Sequence, residues 1–144
     1  MKKTVIGLSF LAAVSCASVS CDDDKVISDV ELPESSRTFL SSHFNNINVS
    51  RIEKEGAGYS VYLANKIEID FNSTGDWLEV DGEDGVSIPT GFILPQIVDY
   101  VEDNYPTTTI NGIEKKASGF DVDLVQQDTD LVFDVNGGFV RVDP

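Results

Sequence analysis

His43 is the single histidine in 144 residues. A hydrolytic triad needs a histidine to accept a serine proton and a fixed carboxylate to orient it. Every triad open to this chain therefore passes through His43. That residue falls near the end of a helical stretch, where packing or solvent exposure accounts for it, and no triad is expected. Zinc calls for three or four His, Cys or carboxylate ligands, so it is disfavoured too. Carboxylates are the abundant reactive groups, with 25 Asp and Glu against 10 Lys and Arg. Asp70-Phe71-Asn72-Ser73-Thr74-Gly75-Asp76, ending at Asp81, sets oxygens at positions one, three and five and glycine at six of an EF-hand-like loop. The twelfth position is Asp rather than Glu, no helix flanks the loop, and Ile67 to Phe71 alternates as a strand. A turn between strands is expected. Glu79, Asp81, Glu83 and Asp84 form an acidic cluster. Paired carboxylates run acid–base chemistry when burial raises one pKa, and no apolar pocket is evident around these. They read as a solvated rim able to hold a cation loosely. Asp128-Thr129-Asp130 reads as a turn. No catalytic residue, cofactor or metal site is expected.

These residues sit on elements that the hydrophobic pattern defines. Tyr59, Val61 and Leu63 alternate with Ser60 and Tyr62, and Ile67, Ile69 and Phe71 alternate with Glu68 and Asp70. A period of two with one apolar side marks a half-buried strand. Ala64-Asn65-Lys66 is a hairpin turn in which Asn tolerates positive φ, and a third strand follows the Ser73-Thr74-Gly75 break. Most of this stretch recurs 61 or 62 residues later. Ile52-Glu53-Lys54 matches Ile113-Glu114-Lys115, Val61 and Leu63 match Val122 and Leu124, and Ile69 and Phe71 match Leu131 and Phe133. Gly75 matches Gly137, Trp77 matches Phe139, and Leu32-Pro33 and Leu94-Pro95 head the copies. The pattern predicts helices over 33–44 and 95–104, and strands over 48–54, 59–63, 67–71, 77–81, 108–115, 120–125, 130–135 and 139–142. Each copy is thus one helix followed by four antiparallel strands, a tandem duplication. Val61, Leu63, Ile69, Val80, Val122, Leu124, Phe133 and Val142 are expected in one core.

Met1-Lys2-Lys3 followed by the apolar run 5–14 is a secretory signal, too short to remain as a membrane span. Val-Ser-Cys occurs twice, ending at Cys16 and at Cys21. A small residue before a cysteine suits lipoprotein processing, and the polar stretch after Cys21 favours that site for lipid attachment; ordinary cleavage near Ser20 is the alternative. The expected organisation is a signal peptide over 1–20, an acidic spacer over 21–25, one repeat over 26–82, a linker over 83–91 and a second repeat over 92–144. Two cysteines imply no disulfide framework. Losing Lys2 and Lys3 deepens the net charge from −15 to −17. That balance excludes a nucleic-acid partner, which needs clustered Lys and Arg, and a direct electrostatic grip on anionic lipid. Asn48-Val49-Ser50 and Asn72-Ser73-Thr74 match the glycosylation acceptor pattern by accident, given a bacterial-type signal.

The order of elements, with Leu-Pro before each helix, the paired Ile-Glu-Lys, the Gly58-Tyr59 and Gly119-Phe120 strand openings and the Gly75 to Asp81 segment, resembles the PepSY-like, β-lactamase-inhibitor-like family of Gram-negative envelope proteins. The resemblance covers about residues 26 to 143. It implies an α+β fold of two repeats with the helices packed on one face of an antiparallel sheet. It also implies that the open face grips a protein, as the family's namesake inhibitor grips an enzyme. No catalytic residue comes with it.

On that open face, the alternation places Trp77, Glu79 and Asp81 outward and Leu78 and Val80 toward the core. Phe139 and Arg141 hold the matching places in the second copy, and Tyr62 lies outward on a neighbouring strand. Outward aromatics mixed with charge characterise a protein-binding face, while large rings can equally stiffen a sheet. Tyr62, Trp77, Glu79, Phe139 and Arg141 are the binding-face candidates. The expected protein is a non-enzymatic lipoprotein, on the periplasmic side or outer surface of the envelope, that binds a protein or peptide, with inhibition of a peptidase as one form of this. The alternatives are a structural or metal-buffering module and, less favoured, a metal-dependent hydrolase.

Overall fold

Cross-strand pairing links every successive strand of the described residues. The computed structural model describes residues 25–144; the signal segment, the acidic run and the Cys16 and Cys21 sites lie outside the described residues. The elements follow as β1 (Lys25–Val26), a 3-10 turn (Asp29–Glu31), α1 (Glu34–His43), β2 (Val49–Glu55), β3 (Gly58–Leu63), β4 (Ile67–Phe71), β5 (Trp77–Gly82), α2 (Pro95–Asn104), β6 (Ile110–Lys116), β7 (Gly119–Leu124), β8 (Asp130–Asp134) and β9 (Phe139–Asp143). All nine strands form one sheet in sequential order, each pair antiparallel. The fold is α+β. Strand β1, in part assigned to the spacer, extends the sheet by pairing Lys25 with Lys54.

One row of apolar side chains crosses the sheet. Ile52, Val61, Ile69, Val80, Ile113, Val122 and Leu131 are successive cross-strand partners, and all are buried. The two halves join inside this row, at Val80 opposite Ile113, so a single core serves both. Ile97 and Val101 of α2 are buried in the same cluster, and Phe39 and Leu40 of α1 pack against it. The helices therefore cover the face that the apolar row presents.

Each helix start is held by a hairpin tip from its own half. Ser36, fully buried, donates to the Gly75 carbonyl at 3.2 Å. Gly75 has φ +88, and a Cβ there would lie 2.2 Å from Ser35 Oγ. Gly137, with φ +82, presses on Gln96, Ile97 and Leu94 at the start of α2. The turns themselves use one device twice. Asn72 Oδ1 accepts from the Thr74 and Asp76 amides, and Asp134 Oδ1 accepts from the Asn136 and Gly138 amides. The loop with calcium-like spacing is this turn. Its Thr74 hydroxyl is also spent within the turn, donating to Asn72 Oδ1 or Asp76 Oδ2.

Four expectations need correction. Trp77 and Phe139 lie on the helix side. Register shifts at Asp70/Phe71 and Val132/Phe133 put Phe71 opposite Trp77 and Phe133 opposite Phe139. The bulges reset the alternation, so Leu78, read as core, is 42% exposed. Val142, also read as core, is 43% exposed on the edge strand. The 83–91 linker packs on the sheet: Ile88 is buried and its amide donates to the Ile110 carbonyl, while Asn111 Nδ2 donates to the Gly82 and Val86 carbonyls. In the hairpin after β3, the residue with positive φ is Lys66, at 69°, not Asn65.

Candidate functional site: an acidic open sheet face

Alternate residues of the strands point away from the helices, and in this chain most of them are acidic. One row runs Glu53, Ser60, Asp70, Glu79, Glu114, Asp121 and Val132 to Arg141. The next runs Arg51, Tyr62, Glu68, Asp81, Gly112 and Asp123. Glu68, Asp70, Glu79 and Asp81 line a hollow of about 200 Å3 on this face. Like charges placed directly opposite each other on a sheet repel, and Glu79 stands opposite both Asp70 and Glu114.

The crowding shows in proton affinities. Burial raises the pKa of Glu79, with Glu114, Asp70 and Asp81 adding to it. Burial raises Glu68 as well, against a hydrogen bond from Tyr62. It raises Asp81, helped by Asp84. Asp123 moves furthest. Burial, a hydrogen bond with Asp130 and the charges of Asp130, Asp81 and Glu79 push its carboxyl up to about 7. At neutral pH Asp123 therefore keeps its proton for much of the time and offers it to the hydrogen bond with Asp130.

Relief comes from a few groups. Ser60 Oγ donates to Asp70 at 2.5 Å. Arg51 pairs with Glu53 at 3.1 Å and lies 4.1 Å from the centre of the Tyr62 ring. Burial and Glu68 push the Tyr62 hydroxyl up to about 12. Lys116 pairs with Glu114 and, at 3.7 Å, with Asp121, and Arg141 pairs with Asp143 at 2.8 Å. These partly exposed pairs each contribute little, and the carboxylates still outnumber the cations.

Gly112 marks one spot on this face. It sits between Asp81 and Asp123, and a Cβ there would lie 2.8 Å from Asp81 Oδ1 and 3.1 Å from Asp123 Oδ2. Two carboxylate oxygens thus lean over the space that a side chain would fill. The equivalent residue in the first half is Arg51, an offset of 61. Among the described residues no three His, Cys, Asp or Glu side chains are grouped to hold a metal ion.

Of the sequence candidates, the structure brings Tyr62, Glu79 and Arg141 to the open face. Trp77 and Phe139 go to the other. Trp77 stacks on Phe39 at 6.2 Å and meets Phe92 edge-on at 5.2 Å, and Phe139 stacks on Tyr100 of α2 at 4.4 Å. The acidic cluster divides: Glu79 and Asp81 join the open face, while Glu83 pairs with Lys66 at 3.0 Å beside the linker. His43 lies against Phe39 and Phe92. Sequence reasoning passed over Glu68, Asp121 and Asp123 and weighed Asp70 only in the calcium-like loop, although their signal is plain in Ile67-Glu68-Ile69-Asp70-Phe71 and Phe120-Asp121-Val122-Asp123-Leu124.

Among the described residues, two helices on a single sheet with one bare acidic face define an α+β class. Residues 17–68 and 57–141 match the family described as "Putative beta-lactamase-inhibitor-like, PepSY-like", and the chain belongs to that family. Among solved structures, a "putative calcium-regulated periplasmic protein" of Bacteroides thetaiotaomicron is similar at 30% identity and TM-score 0.79, over 85% of this chain and 98% of that one. A periplasmic protein of unknown function from Bacteroides vulgatus is similar at 33% identity and TM-score 0.74, over 84% and 99%. A second periplasmic protein from that organism shares 27% identity at TM-score 0.76, over 86% and 99%. These periplasmic neighbours support an envelope or periplasmic location. None of the curated proteins matches the chain. Among the described residues no helix is long and apolar enough to cross a membrane.

Proposed function

We propose that the protein is a non-enzymatic, lipid-anchored envelope protein, attached through Cys21, whose open sheet face binds a basic segment of another protein or peptide. The observation that carries this reading is the pair of carboxylate rows left uncovered by the helices, where partial burial and then like-charge neighbours raise several pKa values. Positive charge delivered to that face relieves repulsion that the protein's own cations relieve only in part, so attraction and specificity come together. Tyr62 within one row and Arg141 at the end of the other add an aromatic and a hydrogen-bonding contact. The family's inhibitor-like character fits a role in restraining an enzyme such as a peptidase. Capture from the envelope tests the reading. Wild-type protein is expected to retain one stoichiometric partner with a Lys/Arg-rich exposed segment, and the Glu79→Gln/Asp121→Asn variant to lose it. Equal capture by both forms would refute it.

A second reading rests on Gly112. The oxygens of Asp81 and Asp123 converge over it, and one structural neighbour is described as calcium-regulated. Calcium accepts carboxylate oxygens and completes its shell with water. On this reading calcium occupies the gap and tunes the charge that a partner meets. Calorimetric titration with calcium chloride is expected to show binding in the wild type and to lose it in Gly112→Ala, whose methyl group fills the gap. Binding unchanged by that substitution would remove calcium from this position.

A further inference from the structure

On the helix side, at the seam between the two halves, lies a cavity of about 200 Å3 walled by Trp77, Phe92, Leu94, Ile113 and Phe120, with Lys115 at its margin. Lys115 Nζ stands 3.7 Å from the centre of the Trp77 ring. The chain carries 25 acidic residues, yet Lys115 enters none of the ion pairs among the described residues. The side chain as a whole is solvent-accessible, while partial withdrawal from water lowers its pKa and Asp76 acts against this from beyond ion-pair distance. The ring face offers the ammonium weak compensation. The geometry is therefore a cation in no contact ion pair, with Asp76 as a more distant counter-charge, at the edge of an aromatic-walled hollow.

We infer that this cavity binds a small aromatic carboxylate, its ring among the aromatic walls and its carboxylate paired with Lys115 Nζ. Size sets the class. An apolar cavity of about 150 Å3 takes a benzene ring, so this one admits a single ring with a short acidic arm. Rings suit rings because edge-to-face contacts favour them over aliphatic groups of equal area. The carboxylate supplies a charge-assisted hydrogen bond to an ammonium that has lost part of its water. This site lies on the face opposite the carboxylate rows, so it stands or falls independently of them.

Trp77 is the sole tryptophan and lines the cavity, which gives the test its reporter. The full purified chain is titrated with phenylacetate, and separately with neutral phenylacetamide, while Trp77 fluorescence is followed. Phenylacetate is expected to give a saturable change, and phenylacetamide to bind at least about tenfold more weakly, the usual cost of losing a charged hydrogen-bond partner. Lys115→Met is expected to remove the preference for the acid, and Lys115→Arg to keep it. Melting curves report whether each variant folds, and the acid–amide comparison on wild-type protein stands without them. No saturable change with phenylacetate, equal binding of acid and amide, or a Lys115→Met variant that still prefers the acid would overturn the inference.

Discussion

Asp123→Asn should make the protein more stable at neutral pH, with a smaller gain in mild acid. The side chain keeps its shape, and its amide can still donate to Asp130, but it no longer ionises beside Asp130, Asp81 and Glu79. In the folded protein the Asp123 pKa rises from 3.8 to about 7. Between those values the folded state holds more protons than the unfolded state, so stability falls as pH rises. The full displacement corresponds to about 4 kcal/mol, and solvent screening of a half-exposed carboxyl reduces this to about 1–2 kcal/mol. Glu68, Glu79 and Asp81, also raised, act in the same direction. Glu31, Asp76 and Asp143, all lowered, act oppositely and only below their ordinary range, so measurements above pH 5 are free of them. Urea unfolding followed by Trp77 fluorescence at pH 5 and pH 8 is the assay. The wild type should lose stability between the two values, and Asp123→Asn should lose about 1 kcal/mol less. A wild-type stability that rises over this interval, or a variant that tracks it at both pH values, would refute the electrostatic reading of the open face.

Three further outcomes follow from the packing and the leader. Trp77→Ala should destabilise the fold by about 2–4 kcal/mol, since the ring fills space between Phe39 and Phe92; a change below about 0.5 kcal/mol in chemical denaturation would mean that the ring carries no packing. Gly75→Ala should cost more than about 1 kcal/mol, through positive φ and collision with Ser35 and Ser36, whereas Gly85→Ala, at φ +82 but with nothing within 4 Å, should cost less; equal melting temperatures would contradict the docking of the hairpin on α1. Cys21→Ala should release the protein from the membrane fraction or block its maturation, and intact mass spectrometry showing an unmodified mature N-terminus in the wild type would end the lipoprotein assignment.

The fold was legible because its information is periodic. Alternation in β3 and β4, recurring in β7 and β8, marked the strands, and Gly75 and Gly137 marked equivalent turns. Which face Trp77 occupies was not legible, because a bulge adds one residue and inverts the alternation from that point. The bulge at Phe71 opposite Trp77 leaves no composition signal, and its counterpart at Phe133 opposite Phe139 repeated the same error. The open face was legible in fragments. Glu68, Asp70, Asp121 and Asp123 each looked like an ordinary solvated strand position, and only strand order brings them side by side. The glycine at 112 acquires meaning only once Asp81 and Asp123 are known to flank it.

Calorimetric titration of a Lys/Arg-rich peptide into the purified protein, at low and at physiological salt, bears directly on the open face as a binding surface. Saturable binding is predicted, weakening as salt rises and falling about tenfold or more in Glu79→Gln/Asp121→Asn. Absence of binding at low salt, or affinity untouched by the double substitution, would contradict it.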